Sequence, residues 1–378
     1  MKKRLLRIVC LIVTISMLAL TLAACGDNGK KTAETSNSPS GNQPASSPST
    51  AATPDKVWNF EICFSHAEPV SPNWARVFGP DLEAASKGRI KSTIYWAGSL
   101  LPLAEVPSAL DSGTITIGNM PTPNFTDLFP LNCRILQLPF MGLKDPLDTV
   151  AIYFKLLKEF PEMEEEMAAS GIKVVGAAPQ GRYDLKLTFK DREVHLPADI
   201  SGLQLVPYKN EFMPLLAANN AGGMYVPPIQ IFETLEKGVA DGYIATWAYA
   251  GYFGLTELVK QHVDFGEGGA FQELNLFAMS LETWNELPPD LQQALTDLFI
   301  TNGGYRDIFL GDTMVLADKQ KEAAIAKNDI ITTLTQQEYD VWKSAIIPEH
   351  QKTIADINAI RGDDVAQKIY DRIVQLVG

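Results

Sequence analysis

The sequence predicts an α/β protein of two domains, preceded by an export signal and a flexible tether. Two observations carry that expectation. Short apolar strands alternate with helices from Val57 onward, and a second strand-and-helix series starts near Leu196. The first 55 residues show no such pattern. With 378 residues, 46% of them apolar, the chain is long enough to build two cores.

Lys2, Lys3, Arg4 and Arg7 open the chain, an apolar stretch runs from Ile8 to Leu22, and Leu22-Ala23-Ala24-Cys25-Gly26 follows. A basic segment, a short apolar segment and a small-residue cleavage site together describe a secretory signal over residues 1–24. The apolar run is shorter than the roughly 20 residues of a membrane span. Residues 25–56 are rich in Ser, Thr, Pro, Asn, Gly and Ala and bury too little apolar surface to order themselves, so they read as a tether.

Structure begins where Trp58, Phe60, Ile62 and Phe64 alternate with polar or smaller neighbours, the period-two pattern of a strand. Pro72 to Ser86 reads as a helix ended by Lys87-Gly88, and Ile90, Ser92, Ile94 and Trp96 as a second strand. A helix over 103–112 stops at Gly113 before the apolar run Ile115 to Gly118. Asp145-Pro146 starts a further helix with an N-cap acid and proline in the first turn, and Val150, Phe154 and Leu157 mark one face. The acidic run Glu162 to Glu166 reads as a solvated face, and Ile172 to Gly176 as a strand.

The second series has a strand over Leu203 to Val206, a helix over Pro228 to Lys237 stopped by Gly238, and a turn at Asp241-Gly242 before Tyr243-Ile244-Ala245. Phe271 to Ser280 is a long strand, and the chain is mainly helical from Pro289 to its end. Thr335-Gln336-Gln337-Glu338 is a capping box ahead of Trp342. Such alternation predicts parallel sheets. The expected division is 57–178 with about 265–298 in one domain, and 179–264 with about 299–378 in the other.

Loss of residues 1–24 removes four cations and no acids, taking the formal charge from −13 to −17. That balance argues against nucleic acid as a partner and repels anionic ligands in general. Cys63 and Cys133 remain once Cys10 leaves and Cys25 is modified, and both are expected as free thiols inside apolar runs. His66, His195, His262 and His350 are scattered, with no metal-ligand spacing, phosphate loop or nucleophile elbow, so neither a cofactor nor catalysis is expected.

Several segments, taken in order, resemble the solute-binding subunits of TRAP transporters, the family that includes C4-dicarboxylate-binding proteins. They are Leu138-Pro139-Phe140, Pro197-Ala198-Asp199-Ile200-Ser201-Gly202-Leu203, Ile231 to Gly242, Trp284-Asn285-Glu286-Leu287-Pro288-Pro289, and Leu334 to Trp342. Leu22-Ala23-Ala24-Cys25 likewise resembles a bacterial lipobox, which implies lipid on Cys25 and a protein held at the outer side of the cell membrane. The resemblance implies a two-domain flytrap of the periplasmic-binding-protein type, with crossing strands and a long linking helix. It also implies domain closure on a small organic ligand, a carboxylate or an aromatic compound, and delivery to integral-membrane TRAP subunits. An ABC-type binding lipoprotein is the alternative reading and a secreted hydrolase the third.

One departure stands out. Where the family places an arginine that clamps a carboxylate, this sequence has Val206. Arg182 is the candidate replacement, or else an ordinary surface arginine. Other candidate ligand contacts are His66 at the end of the first strand, Asn119 after the third, Tyr208, and Trp247 within the aromatic cluster that follows Asp241-Gly242. Each has a structural alternative: a satisfied core histidine, a turn asparagine, packed aromatic rings.

Overall fold

A computed structural model describes residues 56–378 apart from 69–70, 208–209, 228–229 and 267. The signal segment, Cys25, the tether and Tyr208 lie outside the described residues. Strands β1 (Trp58–Cys63), β2 (Ile90–Tyr95), β3 (Ile117–Pro121), β4 (Ile172–Arg182) and, far later in the chain, β10 (Gln272–Ser280) form one sheet in the order β2-β1-β3-β10-β4. A second sheet has the order β11-β9-β5-β8-β6-β7. Its strands are β5 (Asp184–Leu187), β6 (Gln204–Pro207), β7 (Gly222–Gly223), β8 (Gly242–Ala245), β9 (Gln261–Asp264) and β11 (Ile330–Thr333). These are the two α/β lobes of a flytrap.

Neither sheet is purely parallel, which corrects the expectation from alternation. β10 runs antiparallel to both β3 and β4, and β5 runs antiparallel to β8 and β9. The physical reason is connectivity. Parallel neighbours within one sheet need a crossover, whereas β10 arrives from the other lobe and enters its sheet from the opposite end. Tyr183 alone separates β4 from β5, so the chain leaves one sheet and joins the next almost without a turn. At the crossing, Tyr183 N donates to Phe271 O (3.1 Å) and Ala270 N to Tyr183 O (2.6 Å). Gly269 packs there with φ +59, and a Cβ on it would stand 2.8 Å from Arg182 Cβ. A side chain would force the crossing strands apart.

The predicted helix from Pro72 forms, but its middle, Val77–Asp81, has π-type geometry around Pro80. A proline lacks the amide that an α-turn needs, and the wider turn accommodates it. Asp145 caps the helix Pro146–Glu159, its side chain accepting from Leu147 N at 2.8 Å. Glu166 departs from the solvated-face reading. Its carboxylate accepts from the Leu131 and Asn132 amides at 3.0 and 3.1 Å and so caps the short helix Pro130–Cys133. Cys63 and Cys133 are both buried and not joined to each other by a disulfide, as expected.

Helix Gln336–Arg361 carries the predicted capping box at Thr335 and Glu338 and ends at Gly362 with φ 78. Tyr339, Trp342 and Ile346 from its first half pack in the core of the second sheet, while Ile354 and Ile357 pack in a core of the first. One rigid rod therefore joins both lobes.

Candidate functional site

A cleft of about 400 Å³ opens where the segment after β3 faces the carboxyl ends of β6 and β8. Strand ends are where open α/β sheets leave backbone and side chains available to a ligand. Register sets the wall: β6 and β8 are parallel with Val206 beside Tyr243 and Pro207 beside Ile244. Asp241 fixes that pairing, because its carboxylate accepts from Gln204 N at 2.7 Å and its own amide donates to Gln204 O at 2.7 Å. Gly242 is obligatory, since a Cβ there would lie 2.2 Å from Lys186 O across the β5–β8 pair. Thr246 then caps the helix Trp247–Tyr252 by accepting from Tyr249 N at 3.0 Å, which sets Tyr249 against the cleft.

The lining combines aromatic rings with neutral polar groups. Phe125 comes from the first lobe, and Tyr225, Tyr243 and Tyr249 from the second. Tyr243 is fully buried, and its hydroxyl has no hydrogen-bond partner among the described residues. Burial holds that phenol protonated by raising its pKa far above the usual value. Asp127 is the charged side chain among the described lining residues.

Of the candidates read from the sequence, Val206 lines the cleft, as does Tyr249 from the aromatic cluster after Asp241-Gly242, while Arg182, Asn119, His66 and Trp247 do not. Arg182 ends β4 beside the crossing, and its Nη1 donates to Gly266 O at 3.0 Å, so the guanidinium turns toward the β9–β10 connection. Asn119 is 1% exposed. Its amide accepts from Ser65 N (2.8 Å) and donates to Ser65 Oγ (3.0 Å) and Asn275 Oδ1 (2.9 Å), tying the segment just after β1 to β10. His66 is partly buried, with its ring 5.0 Å from Trp74 and 6.1 Å from Tyr252, which follows β8 of the other sheet. Loss of water pushes its pKa down to about 4, and the imidazole is neutral at pH 7. Trp247 stacks on His262 at 4.2 Å.

Lys186 is a group the sequence reading missed. It is wholly buried, its Nζ stands 3.9 Å from the Trp247 ring centroid and 3.8 Å from Asp184 Oδ2, and it has no hydrogen-bond partner among the described residues. Burial drives the Asp184 carboxyl up to about 6 and the Lys186 ammonium down to about 8, while their mutual attraction opposes both shifts. A lysine inside a strand gives no outward sign of burial. Tyr243 could have been found from its place beside Val206, but Tyr225 and Phe125 carried no signal.

Comparison with curated protein sequences gives no match. Among solved structures, a TRAP solute-binding protein from Rhodoferax ferrireducens, in complex with copurified benzoate, superposes with TM-score 0.72 at 20% identity, over 85% of this chain and 98% of that one. A marine metagenome TRAP solute-binding protein specific for aromatic acid ligands gives TM-score 0.70 at 19% identity, over 85% and 98% of the two chains. A third, from Roseobacter denitrificans with bound β-D-glucuronate, gives 0.67 at 17% identity, over 84% and 98%. These likenesses show the flytrap fold. The family model described as bacterial extracellular solute-binding protein, family 7 matches residues 66–356, and the chain belongs to that family.

Proposed function

We propose that the chain captures a small organic molecule in the cleft between its lobes, closes on it, and hands it to integral-membrane TRAP subunits from a lipid anchor at Cys25. The observation that carries the binding reading is the cleft itself: apposed strand ends from two sheets, lined by aromatic rings and joined by crossing strands and one long helix. Such a linkage permits hinge closure, and a ligand that touches both walls favours the closed state. Family membership supports binding without chemical conversion, and the TRAP proteins among the structural relatives favour that transporter type over an ABC partner. In this reading the lobes divide near residues 183 and 271, where the crossing strands pass between the sheets, a few residues beyond the 178 and 265 read from the sequence.

Ligand screening by thermal denaturation tests the receptor function. A ligand at about 100 times its Kd adds about 2.7 kcal/mol of stability. A product formed from any bound compound would contradict the reading. For the anchor, Cys25→Ala should release the exported protein from the membrane fraction, and retention equal to the parent would remove lipidation from the proposal.

A further inference from the structure

We infer that this cleft is built for an uncharged, ring-bearing molecule with hydroxyl or carbonyl groups, and that its occupant differs in charge from the acids bound by the related proteins. The inference rests on the receptor reading and deepens it.

The first support is Tyr243, at 0% exposure, lining the cleft with a hydroxyl that has no partner among the described residues. A buried hydroxyl without a partner is unfavourable unless something enters the cleft to bond it. The group is neutral, so it discriminates by hydrogen bonding and does not compensate a charge. Its neighbour in register is Val206, an apolar side chain 2% exposed. Together they make a wall that offers one neutral donor beside a hydrocarbon surface.

Charge points the same way. Asp127 on the opposite wall is a carboxylate, and the chain carries a formal net charge of −13, so an acid entering the cleft meets repulsion locally and globally. The nearby cations on β4 and β5 have other commitments. Arg182 donates to the Gly266 carbonyl, and Lys186, across the β5–β8 register from Tyr243, is enclosed by Asp184 and the Trp247 face. Among the described lining residues no cation stands ready for a carboxylate, which would lose its water on closure without a matching positive charge from them.

Ring recognition follows from Phe125 and Tyr249, which are buried at the walls, and from Tyr225 and Leu128, which stand 68% and 58% exposed on opposite lobes. Apolar surface of that kind at a cleft mouth is covered when the lobes close over a flat apolar body. The ligand chemistry is therefore a ring for these faces and an uncharged acceptor for the Tyr243 hydroxyl.

The test uses the exported full-length protein in detergent and matched pairs of compounds at equal concentration: benzamide against benzoate, 3-hydroxybenzyl alcohol against 3-hydroxybenzoate, and glucose against glucuronate. The expected result is that a neutral member raises Tm while its acid does not, and that Tyr243→Phe weakens the neutral ligand about tenfold with the parent fold retained. An acid that stabilises more than its neutral partner overturns the inference and leaves the receptor reading intact. Lys186→Met and Lys209→Ala, the latter at a position outside the described residues, then identify the cation responsible. If no compound shifts Tm, native mass spectrometry of freshly exported protein decides. A copurified neutral ring compound supports the inference, a copurified acid overturns it, and a protein that is empty as well as unresponsive refutes the receptor reading and the inference with it.

Discussion

Lys186→Met is the sharpest probe of the second lobe. In the parent, Lys186 Nζ lies 3.8 Å from Asp184 Oδ2 with both side chains buried, and Asp184 also accepts from Phe265 N at 3.2 Å, next to the β9–β10 connection. Methionine keeps the stem volume and removes the charge, which leaves Asp184 as a buried carboxyl without its cation. Breaking such a pair typically costs about 3–5 kcal/mol. Protonation gives the direction: burial already raises Asp184 from 3.8 to about 6 beside its cation, and loss of Lys186 raises it further, so the added cost is larger at pH 7 than at pH 5. The sign follows from proton counts. The folded variant holds a proton that the unfolded chain releases above 3.8, so its stability falls as pH rises from 3.8 toward 7. Urea unfolding should therefore show a loss of about 3–4 kcal/mol at pH 7 and a clearly smaller loss at pH 5. Asp184→Asn combined with Lys186→Met should recover more than half of the loss at pH 7. Equal losses at both pH values, or a double variant worse than the single one, would refute the reasoning.

Acidification gives a second prediction. Burial lowers His262 to about 2 and His66 and His350 to about 4, all from 6.5, so between pH 6.5 and 4 the unfolded chain binds protons that the folded chain refuses. Each costs about 2 kcal/mol at pH 5, while Asp184, raised to about 6, gains about 1 kcal/mol in the opposite direction. Urea midpoints should fall from pH 7 to pH 5 by the equivalent of about 5 kcal/mol, and a flat profile would contradict the burial of these rings. Gly242→Ala should cost about 2 kcal/mol or more and weaken ligand binding, because the added Cβ collides with Lys186 O and displaces Tyr243. Gly238→Ala, at φ +66 but in open space, should cost only about 1 kcal/mol. Thermal denaturation of the two variants checks the difference, and equal losses would remove the clash from the explanation.

Much of the fold was legible because local chemistry wrote it. Alternating side chains placed β1 and β2, an N-cap acid before proline placed the helix after Asp145, and the reciprocal Thr335–Glu338 cap placed the start of the linking helix. The resemblance of ordered short motifs supplied the flytrap architecture, which residue periodicity could not. Strands β5 and β9 escaped notice because Lys186 and His262, both buried, interrupt the apolar pattern that marks an interior strand.

Sequence by itself determined which residue types were available: a valine where an arginine clamp was expected, an aromatic-rich second lobe, and an acidic chain. Tertiary structure decided which of them meet. Arg182 and Asn119 are bonded inside the molecule, whereas Tyr243, unremarked in its strand, comes to the cleft wall beside Val206 with a hydroxyl that has no partner among the described residues. The physical reason is that a ligand wall is set by register between strands distant in sequence and by the partners each polar atom finds after burial. Neither is encoded within any one segment of the chain.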